Sequence, residues 1–354
     1  MSERLMVLED ILDWVSLGDT KRTSLDVDGI FHIATDVGSS RAENQDRVAV
    51  LRVSSKVTSF WCACLCDGMG GLENGGQAAS LGLATFFSSL IANRRLSPEE
   101  RLYVAIRSAN ETVAAAVPGG GSTLSAVCLE GGAMVTANVG DSRIFRMKRN
   151  GKLERLTTDD TMEEAYGSEG RGLLQYIGMK SGLVPHIQTV DGYDGQIFIT
   201  SDGAHIVGEV ALSSLRSNAP DKTAFSERVL DLANWLGGVD NATIVATDWI
   251  KLNEGTPSSR PSDVSVWSPQ GRLKLSWRLL PQGDSPVQEP EPEQDERSKR
   301  ERDQPQAKTR PPISGSSEAS VQQAPGAVRS SKKKKRGQKK EQIEIGFSEE
   351  EQTD

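Results

Sequence analysis

The stretch Phe60-Trp-Cys-Ala-Cys-Leu-Cys-Asp67-Gly-Met-Gly-Gly71 sets the framework for this chain. The residues before Asp67 are apolar, and the cysteines recur at every second position, which is the spacing of side chains on one face of a β-strand. Gly68 lets the backbone come close to a bound ion, because it has no side chain. We therefore predict a buried strand that ends in a carboxylate and a glycine turn. The cysteines are predicted to be small core side chains, since zinc ligands are usually separated by wider loops.

Four further motifs along the chain also contain acidic residues. They are Arg41-x-x-x-Gln45-Asp46, Gly140-Asp141-Ser142-Arg143, Ser201-Asp202-Gly203 and Asp240-Asn241-x-Thr243. Asp202 follows a hydrophobic strand and Asp240 precedes one, so both can converge with Asp67 at one edge of a core. Hard divalent cations such as Mg²⁺ and Mn²⁺ prefer oxygen ligands of this kind. The pattern predicts a metal-assisted hydrolase.

Hydrophobic periodicity predicts a mixture of strands and helices. The predicted elements are a helix at 4–16, strands between 29 and 66, helices at 75–93 and from 97 onward, hairpins at 124–156, a strand at 197–200, a helix at 223–236 and a strand at 242–247. The second long helix has a clear start in Ser97-Pro98-Glu99-Glu100, which combines a serine cap, a proline and acidic residues. Hairpins separated by helix pairs indicate an antiparallel α+β domain.

Composition divides the chain into four parts. They are an N-terminal amphipathic helix and lead-in at 1–28, the α+β domain at 29–250, a terminal hairpin or a linker at 251–280, and a tail at 281–354. The tail is rich in Pro, Glu, Gln, Ser and Arg and is predicted to be disordered, because it cannot bury enough apolar surface to fold. It contains a basic block at 332–340. The short apolar peptide at 343–347 is either a partner-binding segment or an inert solvated terminus.

Composition also argues against several classes of protein. No apolar run approaches the ~20 residues of a membrane helix, and acidic residues interrupt the N-terminus, so we do not expect a secretion signal. Four cysteines agree with a reducing compartment, and we expect a cytoplasmic protein. A net charge of −8 argues against nucleic acid as a partner, and three histidines argue against a histidine-rich metal site.

Together, the motifs resemble those of the metal-dependent Ser/Thr protein phosphatases of type 2C, the PPM family. They are most similar to bacterial members with Asp-Gly-Met-Gly-Gly. The resemblance covers residues 29–250 and includes Gly121-Ser122-Thr123, which matches a strand start of the family. It implies a four-layer α/β/β/α sandwich of two antiparallel sheets flanked by helix pairs. It also implies hydrolysis of phosphoserine and phosphothreonine in proteins, opposing a Ser/Thr kinase, by water that two metal ions activate.

The resemblance implies a set of metal ligands. Asp67 would bridge two Mg²⁺ or Mn²⁺ ions, and the carbonyl of Gly68 would bind one of them. Asp202 and Asp240 would bind the other ion. Asp141 matches a residue that helps to hold a third, weaker ion in bacterial relatives.

The resemblance also implies roles in catalysis, together with two departures from the family. Arg41 would grip the phosphate with its planar fork, and Asp46 would hold water at the metal centre. Gln45 stands where many members carry Glu, so this metal-site position brings no charge and lowers the expected affinity for the second ion. Met69 stands where animal members carry a histidine that is proposed as the acid for the leaving group.

Two other functions stay open at the level of sequence. Gln45 and the long tail also fit a catalytically weak or inactive scaffold that binds phosphoproteins. In the other alternative, the tail is the main functional element, and its apolar peptide recruits a partner protein or complex and brings the enzyme with it.

Overall fold

The computed structural model describes residues 3–16, 21–55, 58–69, 74–167, 172–190, 195–248 and 263–275. The predicted disordered tail at 281–354, including its apolar peptide, lies outside these ranges, as do residues 70–71 of the glycine turn. In chain order the elements are α1 (Glu3–Val15), β1 (Thr23–Val27), β2 (Phe31–Asp36), β3 (Arg47–Ser54), β4 (Ser59–Cys66), α2 (Gly75–Ala92), α3 (Pro98–Ala116), β5 (Leu124–Glu130), β6 (Ala133–Val139), β7 (Arg143–Met147), β8 (Leu153–Arg155), α4 (Met162–Tyr166), β9 (His186–Val190), β10 (Gln196–Thr200), α5 (Asp202–His205), α6 (Glu209–Asn218), α7 (Lys222–Trp235), β11 (Ala242–Asp248), β12 (Asp263–Ser268) and β13 (Gly271–Leu275).

The strands form two antiparallel sheets. One sheet has six strands in the order β1-β2-β11-β10-β7-β8, and the other has seven strands in the order β13-β12-β3-β4-β5-β6-β9. Strand β4, which the opening stretch predicts to be buried, lies in the middle of the larger sheet between β3 and β5. The predicted antiparallel α+β class is therefore confirmed.

The alternation in β4 places its side chains in two different cores. Trp61, Ala63 and Leu65 point into the core between the sheets. The three cysteines point the other way, into the core beneath the helices, and all are free thiols. Because the period of a strand is two residues, one stretch of sequence serves two layers.

Helices cover the outer face of each sheet, so the molecule has the predicted four layers. Helices α1, α2 and α3 pack on the seven-stranded sheet, and α5, α6 and α7 pack on the six-stranded sheet. Helix α3 begins as predicted: the Ser97 side chain accepts from the backbone N–H of Glu100, whose carboxylate accepts from the backbone N–H of Ser97. None of the described helices is both long enough and apolar enough to cross a membrane.

The folded unit extends beyond the predicted limits of 29–250. Helix α1 buries Val7 and Ile11 in the core, and β1 pairs with β2 before residue 29. Residues 263–275, interpreted as either a hairpin or part of a linker, form a hairpin that extends the larger sheet through β3. Helix α6 and strand β9 were also not predicted from the sequence. In β9 only Val190 is fully buried, so its hydrophobic pattern is too weak to indicate a strand.

Candidate active site

The predicted acidic residues come together at one end of the two sheets. In the larger sheet, Asp67 directly follows β4, and Asp46 directly precedes β3, whose first residue pairs with the last residue of β4. In the smaller sheet, Asp202 follows β10, beside the starts of β7 and β11. Asp141 and Asp240 lie just before those two strands. Because neighbouring strands are antiparallel, the end of one lies beside the start of the next.

The backbone around Asp67 is held by the start of β5. The carbonyl of Asp67 accepts from the backbone N–H of Thr123 at 2.8 Å and from the Ser122 hydroxyl at 2.9 Å, and its N–H donates to Thr123 Oγ1 at 3.0 Å. Gly68 follows in close contact with other backbone: a Cβ added there would lie 2.5 Å from the carbonyl oxygen of Gly75. The close approach at Gly68 in the structure is thus made by the start of α2, and its approach to a bound ion stays a prediction.

The carboxylates raise one another's pKa values. Burial, together with the charge of Asp202, raises the pKa of Asp46 to about 6. The same two causes raise the pKa of Asp141 to about 7. Burial and the charge of Asp46 raise the pKa of Asp67 well above its usual value. Asp202 stays open to solvent, yet partial desolvation and the charge of Asp240 raise its pKa as well. Such shifts mean that burial and mutual repulsion at this edge outweigh the positive charge that lies near it.

Two site residues carry buried oxygen atoms without a hydrogen-bond partner among the described residues. They are both carboxyl oxygens of Asp46 and Oε1 of Gln45. The hydroxyls of Ser201 and Thr243 lie near enough to lower the pKa of Asp46, but not in hydrogen-bonding geometry. The amide nitrogen of Gln45 donates to Glu43 at 2.7 Å, which leaves its oxygen free. Unpaired buried acceptors are costly, and a hard cation with its waters would satisfy them. The donor set therefore fits Mg²⁺ or Mn²⁺.

Arg41 contacts a carboxylate of the site. Its Nη2 lies 2.7 Å from Oδ2 of Asp240, and the two side chains are 37% and 31% exposed. Within the part of the chain that the structure describes, no three His, Cys, Asp or Glu side chains form a ready-made ligand cluster. Because the guanidinium of Arg41 already contacts this carboxylate, a cation that binds Asp240 would compete with it.

Asn241 holds the loop that carries Arg41, Gln45 and Asp46. Its amide oxygen accepts from the backbone N–H of Gln45 at 2.8 Å. Its amide nitrogen donates to the carbonyl oxygens of residues 37 and 43 at 2.9 and 3.0 Å. Sequence reasoning did not identify this role, because Asp-Asn is common at the start of loops. The only signal was that the motif stands directly before a predicted strand.

Two glycines let the segment with Asp240 and Asn241 pass close to its neighbours. A Cβ on Gly38 would lie 2.4 Å from the carbonyl oxygen of Asp240, and one on Gly203 would lie 2.1 Å from that of Asn241. Gly38 also has a φ of +78°, which disfavours other residues. The Asp240 segment is thus held between the Arg41 loop and the turn that follows β10.

Comparison with known proteins gives a single family. Residues 38–247 match the family model described as Protein phosphatase 2C. Serine/threonine protein phosphatase PstP of Mycobacterium tuberculosis is 28% identical over 249 residues, which cover 62% of this chain and 45% of PstP. Protein phosphatase PhpP of Streptococcus pneumoniae is 28% identical over 250 residues, which cover 63% of this chain and 97% of PhpP. The chain thus spans less than half the length of PstP and nearly all of PhpP.

A solved structure shares the fold. The crystal structure of the catalytic domain of PstP in complex with two manganese ions superimposes with a TM-score of 0.51 at 26% identity. The match covers 62% of this chain and 96% of that chain.

Proposed function

This chain belongs to the protein phosphatase 2C family, and from that premise we propose that it hydrolyses phosphoserine and phosphothreonine in proteins with the help of Mg²⁺ or Mn²⁺. The observation that carries the proposal is the convergence of Asp67, Asp202 and Asp240 beside Arg41. A phosphate dianion would be repelled by this acidic edge if no cation were bound there. The same arrangement that defines the site therefore makes activity depend on divalent ions.

We assign the cation ligands residue by residue. Asp67 and the carbonyl of Gly68 would hold one ion, and Asp67, Asp202 and Asp240 the other. Asp141 shares the charged environment of Asp202 and would hold a third ion. When bound, two divalent ions lower the pKa of a water and neutralise the charge that develops on the transferred phosphoryl group. The catalytic domain of PstP, a relative of this chain, is in complex with two manganese ions, which supports the binding of two such ions here.

The remaining residues act on the phosphate and on water. Arg41 would exchange its contact with Asp240 for the phosphate oxygens, for which its planar fork is suited. Asp46 would accept a hydrogen bond from the attacking water, because both of its carboxyl oxygens lack a partner among the described residues. Gln45 would orient water through its free oxygen. Met69 brings no proton donor, so the serine or threonine oxygen would take its proton from water.

The test is hydrolysis of a phosphothreonine peptide with and without Mn²⁺. We expect turnover by the wild type only with the metal, and a loss of turnover together with weaker Mn²⁺ binding in Asp202→Asn. The matched control is Asp10→Asn, which removes an exposed carboxylate from the middle of α1 and should behave like the wild type. Mn²⁺ binding by the wild type without turnover would refute the proposal and support the scaffold alternative.

The partners follow from the same chemistry. The substrates would be phosphoproteins, and a Ser/Thr kinase would have to make them. We further propose that the tail peptide at 343–347 recruits a partner protein. Deletion of residues 281–354 is then expected to leave peptide hydrolysis intact and abolish the biological effect. If the deletion changes neither, the tail has no such role.

A further inference from the structure

The last residue of α7 and the turn that follows it expose three large apolar side chains close in sequence to Asp240 of the candidate site. Trp235 is 81% exposed, Leu236 is 46% exposed and Val239 is 54% exposed. Single exposed apolar residues are ordinary, whereas three within five positions of sequence offer apolar surface to a ligand. We call these three residues the apolar turn. Asp240 follows it directly.

The apolar turn is held in one conformation by its backbone. The N–H of Gly238 donates to the carbonyl oxygen of Ala233 at 3.1 Å, and that of Gly237 donates to Asn234 at 3.0 Å. Both glycines have positive φ values, 121° at Gly237 and 53° at Gly238. The side chain of Asn234 also donates to the Asp36 carboxylate at 2.7 Å. A rigid turn loses little conformational entropy when a ligand binds, so its exposed surface is suited to recognition.

The apolar turn is also bonded to the loop that carries Arg41. The backbone N–H of Ser39 donates to the carbonyl oxygen of Gly238 at 2.8 Å, and its hydroxyl donates to that of Gly237 at 2.6 Å. Arg41 lies two residues further on and reaches Asp240. Hydrogen bonds and the chain itself therefore join the apolar turn to Arg41 and Asp240 beside the acidic edge.

We infer that the apolar turn binds a bulky apolar side chain of the substrate, near in sequence to its phosphorylated residue. The inference rests on the proposed function, because that function places the phosphate at Arg41. An extended peptide advances about 3.3–3.6 Å per residue, so a side chain up to three residues away lies within ~11 Å of the phosphorylated residue. The preferred substrates are therefore phosphopeptides with a residue such as Leu or Phe on one side of the phosphoresidue.

The test compares phosphothreonine peptides that carry either Leu or Ser at each position from three before to three after the phosphothreonine. In the full chain with Mn²⁺, we expect kcat/KM to favour Leu at one or two positions by about tenfold, as expected for burial of part of a large apolar side chain. Trp235→Ala should abolish most of this preference, mainly by raising KM for the Leu peptide. The readout is the ratio of kcat/KM for the Leu peptide to kcat/KM for the Ser peptide, so a change in rate that is common to both peptides does not affect it.

Tyr103 provides a matched control. It is an aromatic residue, 48% exposed, on α3. It is close in sequence to Arg101, which pairs with Glu130 at the end of β5 that is distant from Asp67. Tyr103→Ala should retain the preference of the wild type.

Three results would overturn the inference. The first is a wild type that hydrolyses the peptides without any preference for Leu. The second is a preference that Trp235→Ala leaves unchanged. The third is a concentration-dependent dimer that Trp235→Ala disrupts while the preference persists, which would assign the apolar turn to a second copy of the chain. If the wild type with Mn²⁺ fails to hydrolyse even an aryl phosphate, the proposed function fails and this inference falls with it. Hydrolysis of the aryl phosphate therefore separates the two failures.

Discussion

Replacing Arg41 with alanine should strengthen Mn²⁺ binding while it weakens the binding of phosphopeptides. In the structure, Nη2 of Arg41 lies 2.7 Å from Oδ2 of Asp240, a carboxylate that we assign to the metal site. The guanidinium and the metal ion therefore compete for the same oxygen. Without the arginine, Asp240 is free before the ion arrives, and one positive charge that would repel the ion is removed.

The magnitude follows from the exposure of the pair. Both side chains are about one third exposed, and exposed ion pairs contribute about 0.2–1 kcal/mol, which corresponds to a ~1.4- to 5-fold change in a binding constant. We therefore expect Arg41→Ala to bind Mn²⁺ up to ~5-fold more tightly by titration calorimetry at fixed ionic strength. Loss of a charge-assisted hydrogen bond to phosphate should lower kcat/KM for a phosphothreonine peptide by roughly 10- to 150-fold.

Two further variants separate competition from general effects. Arg41→Lys keeps a positive charge near Asp240 but lacks the planar fork, so it should lower kcat/KM and leave Mn²⁺ affinity close to that of the wild type. Arg107→Ala removes an exposed ion pair with Glu111 on α3 and should change neither quantity. Mn²⁺ binding by Arg41→Ala that is unchanged or weaker would refute the competition between arginine and metal for Asp240.

Other predictions concern stability. The folded-state pKa values of Asp46 and Asp141, about 6 and about 7, lie above the ordinary value of 3.8, so the folded chain binds more protons than the unfolded chain between those limits. The Tm of the metal-free protein should therefore fall as pH rises from 5 to 8. Added Mn²⁺ or the Asp46→Asn substitution should reduce this fall. A Tm that rises over this range would contradict the raised pKa values of the two carboxyl groups. Asn241→Ala leaves three backbone groups unpaired, so it should lower the free energy of unfolding in denaturant by about 1–3 kcal/mol and slow peptide hydrolysis. Gly203→Ala should lower both Tm and Mn²⁺ affinity, whereas Gly172→Ala, whose new Cβ would meet only Met162 at 3.8 Å, should not.

The positions of the site carboxylates at the ends of strands could be predicted from the sequence. An apolar stretch with period two determines which side chains of β4 face each core, and the residue after it must emerge at the end of the sheet. The same reasoning applied to Asp202 and Asp240 predicted that the carboxylates converge, and the structure brings them together. Strand β1 was not predicted, because Ser24 and Asp26 are exposed and only Val27 is fully buried. Its pairing with β2 depends on tertiary contact rather than on local pattern.

The loops between the strands could not be predicted, because their partners are distant in sequence. The Arg41 loop is held by Asn241 and by the turn at Gly238, about two hundred residues away along the chain. No periodicity records such contacts, since each depends on a single side chain or carbonyl group. These bonds also have an energetic role. Carboxylates that raise one another's pKa values repel each other when they are ionised, and this repulsion favours a more open site. The hydrogen bonds that the side chains of Asn241 and Ser39 make with backbone groups oppose this opening. The residues that supply the charge are thus visible in sequence motifs, whereas the residues that keep the charges together become visible only once the fold is known.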